Sequence, residues 1–283
     1  MCRLFGFRSV IQSQVHRSLV AADNALGVQS NDHPDGWGVA FYVEGAPHIT
    51  RSANTALGDQ LFHRVSGVVA SETVLAHVRK ATVGEINILN CHPFQYGRWT
   101  LAHNGNIPGY DRHKDALLGA IAPRLRRYIL GSTDSEAIFF LFLTHLQGFG
   151  PLTRRHTVDE VVQALGATVA QVRGICDDAG GEERAADDRC LLTLVVTDGT
   201  TMVATQGGKE LYWSTYKSRC ADRETCPSLS PECEAESQTG FVNHLVLSSE
   251  PLLGENVWTA LEPGEVIGVD WRMRLVRDRL PAL

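Results

Sequence analysis

The sequence predicts a layered α+β domain, and the order of its hydrophobic patterns is the main reason. Strand-like alternation comes first along the chain, two segments with helical periodicity follow, and further strand patterns fill the C-terminal part. The chain has no repeat of fixed period and no Pro- or Ser-rich linker that would divide it. We therefore expect residues 1–283 to form a single domain.

The first strands are predicted at the N-terminus and after a turn. MCRLFGF alternates loosely between apolar and other residues, which favours an inner strand. NDHPDGWG (31–38) then supplies proline and glycine for a turn, and the strand-like VAFYV (39–43) follows it.

Two further strands carry polar residues. TVLAHVRKATVG (73–84) begins as a strand in which Leu75, His77 and Arg79 share one face, while the other face is apolar. WTLAHNGNI (99–107) is expected to be a short strand that runs into a tight turn at Asn104-Gly105, because this dipeptide tolerates a left-handed backbone.

Two helices are predicted from their caps. GSTDSEAIFFLFLTHLQG (131–148) starts with Ser and Thr in cap position and has acidic residues in its first turn. TVDEVVQALGATVAQVRGI (157–175) opens with a Thr-x-x-Glu capping box. The acidic, Gly- and Ala-rich stretch 177–189 predicts a surface connection, and a β-hairpin over 191–206 and strands near 241–247 and 265–270 complete the chain.

Charge and composition exclude several classes of function. A net charge of −6 provides no basic surface for nucleic acid. No apolar run approaches the roughly 20 residues of a membrane-spanning helix, and the N-terminus lacks the pattern of a signal peptide. The seven cysteines are irregularly spaced, which favours reduced thiols. We therefore expect a cytoplasmic protein without a membrane or nucleic-acid partner.

Four short motifs contain residues that could perform chemistry, although each also has a purely structural explanation. Cys2 lies next to the initiator methionine, His77-Val78-Arg79 ends a strand, His103-Asn104-Gly105-Asn106 resembles a hairpin, and Thr133-Asp134-Ser135-Glu136 caps a helix. A cysteine thiol needs a base before it can act as a nucleophile. If Met1 is removed, the α-amine of Cys2 can be that base.

Together these motifs resemble the glutaminase domain of the class II glutamine amidotransferases, which are N-terminal nucleophile hydrolases. The resemblance is strongest over residues 2–136. The stand-alone members, with relatives in ergothioneine biosynthesis and glutathione breakdown, are the most similar, because HVRKATVG, NCHPF, LAHNGNI, STDSE and SSEPL (248–252) look like theirs. The resemblance implies a four-layer α/β/β/α sandwich, in which helices flank two packed antiparallel sheets, and it implies no cofactor.

The resemblance also implies roles for individual residues. Cys2 would be the nucleophile, and the side-chain amide of Asn104 and the backbone N–H of Gly105 would bind the oxyanion. Arg79 would bind the α-carboxylate of the substrate, and Asp134 its α-ammonium group.

One further substrate contact is implied at Thr82. Fused members of the family tend to have Trp-Ala-Thr-His after the arginine, whereas this chain has Lys80-Ala81-Thr82-Val83. This difference changes the expected side walls of the pocket.

The implied activity is hydrolysis of the γ-glutamyl amide bond of glutamine or a γ-glutamyl compound through a thioester on Cys2, with release of glutamate. Two alternatives stay open. The chain could be a glutaminase subunit that supplies ammonia to a separate synthase partner, or a non-catalytic γ-glutamyl-binding regulatory protein. The state of the Met1–Cys2 bond distinguishes the catalytic hypotheses from the last one.

Other candidate sites have simpler interpretations. A zinc site built from His77, Cys91, His92 and His103 fits no common ligand spacing, so we expect no metal. Gly36-Trp37-Gly38 is a turn that could also form a pocket wall, with His33 as a weaker candidate.

Three cysteines near the C-terminus share a polar stretch. Cys220, Cys226 and Cys233 lie in a predicted surface insertion of about residues 216–240, for which we expect no catalytic role.

Overall fold

The computed structural model describes residues 2–177 and 188–280. The strands are β1 (Arg3–Gln14), β2 (Trp37–Val43), β3 (Ala46–Ser52), β4 (Ala70–Val78), β5 (Phe94–Tyr96), β6 (Trp99–Asn106), β7 (Leu191–Thr197), β8 (Met202–Thr205), β9 (Tyr212–Ser214), β10 (His244–Ser248), β11 (Thr259–Ala260), β12 (Glu265–Val269) and β13 (Leu275–Arg279). The α-helices are α1 (Leu26–Gln29), α2 (Gln60–Val68), α3 (Tyr110–Ala120), α4 (Pro123–Arg126), α5 (Asp134–Leu146) and α6 (Val158–Cys176).

Within the described residues, the strands form two antiparallel sheets. The first has seven strands in the order β11-β9-β10-β1-β4-β2-β3, and the second has six in the order β13-β12-β8-β7-β6-β5. The space between the sheets is filled by apolar side chains such as Leu4 and Leu75 from the first sheet and Ala102 and Val195 from the second. The inner layer is therefore a hydrophobic core shared by the two sheets.

Helices cover both outer faces. Phe139 of α5 and Val162 of α6 belong to the cluster that covers Leu194 on the six-stranded sheet. Phe62 of α2 belongs to the cluster that covers Val74 on the seven-stranded sheet. The order is helix, sheet, sheet, helix, which confirms the α+β class and the four-layer sandwich.

Both predicted long helices are confirmed, together with their caps. The hydroxyl of Thr133 accepts a hydrogen bond from the backbone N–H of Glu136 at 3.2 Å at the start of α5. Thr157 and Glu160 form the complete capping box of α6. Helix α5 ends at Leu146, two residues before the predicted Gly148, because the chain continues there as a short 3-10 turn.

The predicted tight turn at Asn104-Gly105 is wrong. Both residues lie inside β6, where Asn104 pairs with Thr193 and Gly105 pairs with Leu192 of β7. A Cβ atom at position 105 would overlap the carbonyl oxygen of Leu191. Glycine is needed here because β7 approaches closely, and not because the backbone is left-handed.

Residues 216–240 form a mainly irregular segment with one short helical turn at Pro231–Cys233. Cys220 and Cys233 are buried, whereas Cys226 is half-buried, and all three are free thiols. This segment and the outer face of β1 and β10 line a cavity of about 660 Å³. The three thiols therefore lie beside a cavity and not on an open loop.

Two sequence expectations concern the remaining parts of the chain. Most of the surface connection predicted for 177–189 lies outside the described residues. No helix in residues 2–177 and 188–280 has the length and apolar composition needed to cross a membrane.

The core under α5 can be tested with Phe142, which is fully buried and packs edge-to-face on Trp99 with ring centroids 5.8 Å apart. Phe142→Ala should lower the free energy of unfolding by about 3–5 kcal/mol, because it leaves a cavity in a packed layer. Phe149→Ala is the matched control, since Phe149 is 39% exposed, and it should cost less than about 1 kcal/mol. Urea unfolding of both variants measures the difference, and equal losses would contradict this description of the core.

Candidate active site

Cys2 lies at the point where β1 begins. Because Arg3 pairs with Val78, the residue before β1 reaches the chain just beyond the end of β4. The Cys2 sulfur lies 3.4 Å from the backbone nitrogen and 3.5 Å from the carbonyl oxygen of Lys80. The backbone after β4 therefore holds the thiol in place.

The Cys2 thiol is buried, with 7% of the residue exposed. Burial raises the pKa of this thiol, and the hydrogen bond from the Lys80 backbone lowers it by less. Arg79 also lowers the Cys2 pKa and Asp134 raises it, so both charged groups lie close enough to act on the sulfur. At neutral pH the thiol keeps its proton unless a base removes it.

Arg79 follows β4 directly and is only 2% exposed. Its guanidinium donates hydrogen bonds to the carbonyl oxygens of Val83 at 2.9 Å, Gly84 at 3.2 Å and Glu85 at 3.1 Å. Its backbone N–H donates to the carbonyl oxygen of Gly36 at 2.7 Å. The loop after β4 and the turn before β2 thus fix a buried cation next to Cys2.

Asp134 begins α5 and is 3% exposed. Its carboxylate accepts hydrogen bonds from the backbone N–H of Ile107 at 2.7 Å and from the N–H of Ser135 at 2.8 Å, and the Ser135 hydroxyl donates at 3.2 Å. The Ile107 bond links the helix to the chain just after β6. Asp134 is therefore a buried anion at the same end of the two sheets as Arg79.

Asn104 is 2% exposed, near the end of β6. Its carboxamide nitrogen lies 3.4 Å from the Ser249 hydroxyl oxygen. Its carboxamide oxygen is buried and has no hydrogen-bond partner among the described residues. The carboxamide therefore has one anchored end and one free end.

Thr82 is placed differently from the other predicted residues. It is exposed and lies in an irregular stretch between Lys80 and Gly84. Its side chain makes no hydrogen bond to any described residue. The structure thus places Cys2 on the backbone of Lys80, the residue after Arg79, whereas the exposed Thr82 lies at the edge of the site.

Three buried histidines lie behind the site. The rings of His77 and His92 contact each other with centroids 4.1 Å apart and a tilt of 37° between their planes, and His77 Nε2 lies 3.2 Å from the carbonyl oxygen of His103. The His103 ring is held between the Ser135 hydroxyl at 2.9 Å and the Leu191 carbonyl oxygen at 2.8 Å. Burial lowers the pKa of all three, so they are neutral at physiological pH.

These histidines do not form a metal centre with Cys91. Among residues 2–177 and 188–280, no group of three or more His, Cys, Asp or Glu side chains is arranged to hold a metal ion. The His103 ring faces α5, on the opposite side of its sheet from the inner layer that Leu75 and Ala102 fill. The His77 and His92 rings contact each other, whereas the His103 ring contacts Ser135 of α5.

The Gly36-Trp37-Gly38 stretch is not a pocket wall through its tryptophan. Trp37 is fully buried against Phe62 of α2, and its indole N–H donates to Asp59 at 3.0 Å. A Cβ on Gly38 would overlap the carbonyl oxygen of His92, so close packing requires this glycine. Trp37 thus lies on β2 and packs against the helical layer.

Ser249 was missed as a site residue by sequence reasoning. Its hydroxyl contacts both Leu4, which is two residues after Cys2, and Asn104. The sequence signal was the SSEPL motif, which indicated a family resemblance but not the contacts of its serines.

Comparisons with known proteins show the family to which the chain is similar. The chain matches the family described as glutamine amidotransferases class-II over residues 1–270. It is 31% identical over 298 residues to the probable glutamine amidotransferase DUG3 of Saccharomyces cerevisiae, covering 95% of this chain and 82% of that protein. It is 30% identical over 223 residues to the gamma-glutamyl-hercynylcysteine sulfoxide hydrolase of Mycobacterium tuberculosis, covering 75% of this chain and 78% of that protein.

A solved structure has the same fold. The glutamine aminotransferase class-II domain protein from Silicibacter pomeroyi superposes with a TM-score of 0.67 at 20% identity, covering 99% of this chain and 100% of that one. At this identity, the likeness concerns the arrangement of sheets and helices.

The buried histidines predict that acid destabilises the protein. Burial lowers the pKa of His77 to about 3, while an unfolded histidine titrates near about 6.5. Between these values the unfolded chain binds more protons, so the free energy of unfolding falls as the pH decreases from about 6.5 towards about 3. One such histidine contributes up to about 1.4 kcal/mol per pH unit. Urea unfolding over a pH series measures this slope.

His77→Gln separates this effect from other titrations. The variant loses the imidazole but keeps an N–H that can donate to the His103 carbonyl oxygen, so its slope between about pH 4 and 6 should be shallower by about one proton. The control His63→Gln changes an exposed histidine and should keep the wild-type slope. An unchanged slope in His77→Gln would show that His77 is not the group that titrates.

Proposed function

The chain belongs to the class II glutamine amidotransferases, and on that premise we propose that it hydrolyses the γ-glutamyl amide bond of glutamine or of a γ-glutamyl compound. The family and the names of the relatives indicate an enzyme that acts on a C–N amide bond. In the proposed reaction Cys2 forms a thioester and water then releases glutamate. We treat residues 1–283 as one domain dedicated to this reaction.

One observation carries the proposal. The buried Cys2 thiol lies on the Lys80 backbone, next to the buried cation of Arg79 and within the electrostatic influence of Asp134. A nucleophile within the electrostatic influence of a fixed cation and a fixed anion suits a substrate that has a carboxylate and an ammonium group at one end and an amide at the other.

The first chemical step uses groups of Cys2 itself. Once Met1 is removed, the α-amine takes the thiol proton directly or through a water, and the sulfur attacks the γ-carbonyl carbon. A buried thiol with a raised pKa needs this base, and the resulting thiolate is poorly solvated and strongly nucleophilic. The α-ammonium group then returns its proton to the departing amine as the C–N bond breaks.

The oxyanion formed in this step is assigned to Asn104 and Gly105. The side-chain N–H of Asn104 and the backbone N–H of Gly105 would donate to it, and one such donor is worth about 3–4 kcal/mol to a transition state. Two features support the assignment. The Asn104 carboxamide is anchored at only one end, and the packing of β7 against Gly105 holds the backbone in a fixed position.

The amino-acid end of the substrate is assigned to Arg79 and Asp134. A guanidinium binds a carboxylate through two parallel hydrogen bonds, and a carboxylate binds an ammonium group. Both side chains are almost fully buried, where such charge pairs are stronger than in water. Thr82 is retained as a contact from the rim of the site.

The leaving group distinguishes two versions of the function. Hydrolysis of a γ-glutamyl conjugate is supported by the relative named gamma-glutamyl-hercynylcysteine sulfoxide hydrolase. Ammonia release to a separate synthase partner is the alternative, and the relative named probable glutamine amidotransferase supports it. A panel of glutamine, glutathione and other γ-glutamyl conjugates, assayed for released glutamate, decides between them.

Cys2→Ala tests the nucleophile. Release of glutamate should fall by more than about 10³-fold, because the attacking atom is lost, while calorimetry should still detect substrate binding. Cys226→Ala is the control, since this half-buried cysteine lies in the 216–240 segment, and it should keep wild-type activity. Intact mass should show loss of Met1 in the active protein. A fully active Cys2→Ala variant, or an active protein that retains Met1, would rule out the mechanism.

Arg79→Lys tests the carboxylate contact. The variant keeps the charge but loses the planar pair of donors, so KM should rise about tenfold or more while kcat changes less. Arg98→Lys is the matched control, because Arg98 instead pairs with Asp198 at 3.6 Å. Steady-state kinetics on the best substrate of the panel measures both, and an unchanged KM in Arg79→Lys would contradict the assignment.

A further inference from the structure

Ser249 connects the strand of the nucleophile to the residue assigned to the oxyanion. It follows β10 directly and is 4% exposed. Its hydroxyl oxygen accepts a hydrogen bond from the Leu4 N–H at 2.9 Å, and its own N–H donates to the Leu4 carbonyl oxygen at 3.1 Å. Leu4 is two residues after Cys2, so Ser249 fixes the strand that carries the thiol.

The second contact of Ser249 is with Asn104. The carboxamide nitrogen of Asn104 lies 3.4 Å from the Ser249 hydroxyl oxygen, whereas the carboxamide oxygen is buried without a partner in the described part of the chain. In this orientation the Ser249 oxygen accepts two hydrogen bonds and its own proton is not used by Asn104. A buried acceptor without a partner is unfavourable.

A half-turn of the carboxamide removes this mismatch. The oxygen and nitrogen of an amide have nearly the same size, so a rotation of about 180° exchanges them without new contacts. After it, the Ser249 hydroxyl donates to the Asn104 oxygen while it still accepts from the Leu4 N–H. The Asn104 nitrogen then occupies the free end, where its N–H groups can bind an oxyanion.

We propose that Ser249 is a positioning residue that holds the Asn104 carboxamide with its oxygen on the Ser249 hydroxyl and its nitrogen towards the oxyanion. This inference rests on the proposed function. The same hydroxyl is bonded to Leu4, so it sets the distance between the thiol and the oxyanion donor. A serine that only stabilised the fold would have no specific effect on the transition state.

Ser249→Ala removes the hydroxyl with little change in volume. We expect kcat to fall about 10- to 100-fold, somewhat less than loss of an oxyanion donor itself, while KM stays within about threefold. Ser248→Ala is the matched control: this neighbouring serine is also buried, but its side chain is bonded to neither Leu4 nor Asn104. It should retain wild-type kcat. Ser249→Thr keeps a hydroxyl and should recover most of the lost kcat.

A reversible aldehyde inhibitor separates positioning from general damage. Glutamate γ-semialdehyde is in equilibrium with the cyclic imine that its own amine forms, and its open-chain aldehyde is the reactive species. The Cys2 sulfur adds to this aldehyde carbon, the thiol proton moves to the aldehyde oxygen, and the resulting hemithioacetal has its oxygen where the oxyanion would form. Ser249→Ala should weaken this inhibitor by about the same factor as kcat. Glutamate forms no tetrahedral adduct with the thiol, so its inhibition constant should change by less than about threefold.

The outcomes distinguish this inference from the function on which it rests. If wild-type protein is active but Ser249→Ala has unchanged kcat and inhibitor affinity, the role of Ser249 is wrong and the proposed function stands. Equal weakening of the aldehyde and of glutamate would indicate a purely structural role and also overturn it. If wild-type protein neither releases glutamate nor binds the aldehyde, both proposals fail. Should Ser249→Ala not fold, Ser249→Cys replaces it as the variant without a hydroxyl, and Ser249→Thr serves as the variant that keeps one. Wild-type kcat and inhibitor affinity in Ser249→Cys would then overturn the inference.

Discussion

The antiparallel pairing of β1 with β4 is the constraint on which the site depends. The pairing of Arg3 with Val78 places Cys2 against the backbone of Lys80. Arg79 is the residue between Val78, where β4 ends, and Lys80, which contacts the thiol. The same pairing buries Leu4 and Leu75 in the inner layer, and each buried leucine contributes about 1.5–3 kcal/mol. Packing that stabilises the sheet therefore also fixes the sulfur relative to the guanidinium.

The buried charges are tolerated because each has fixed hydrogen-bond partners. Carbonyl oxygens of the loop after β4 surround Arg79, and backbone N–H groups hold the Asp134 carboxylate. Without such partners, burial of either charge would cost several kcal/mol. The buried histidines His77 and His92 are neutral instead, because burial lowers the pKa of each ring. The Arg79 cation and the Asp134 anion thus lie beside neutral imidazoles, an arrangement that fits the proposed zwitterionic substrate.

Local sequence signals predicted those features that depend on near neighbours. The caps of α5 and α6 involve residues three positions apart, and the resemblance to a known family supplied Cys2, Arg79 and Asp134 as candidates. The prediction of a turn at Asn104-Gly105 was wrong. The dipeptide alone favours a turn, whereas pairing with β7 keeps both residues in a strand. No local pattern could reveal that approach.

Ser249 shows the same limit for contacts between residues that are far apart along the chain. Its partners Leu4 and Asn104 lie 245 and 145 positions away along the chain. Sequence periodicity reports on neighbours within a few turns or strands, so contacts at this separation appear only when the two sheets are assembled. The motif SSEPL could be noticed, but the contacts of its second serine could not be predicted from it.

The hydrogen bonds of Cys2 also explain why the proposed base is its own α-amine. Among the described residues, the sulfur is hydrogen-bonded only to the backbone of Lys80, and no imidazole is hydrogen-bonded to it. His103 already bonds to Ser135 and to the Leu191 carbonyl oxygen, and His77 bonds to the His103 carbonyl oxygen. An α-amine titrates near about 7.7–8.0, close to working pH, whereas these buried imidazoles accept a proton only in acid. Of these groups, the amine is therefore the one whose basicity matches the proposed reaction, and the Met1–Cys2 bond controls whether it is free.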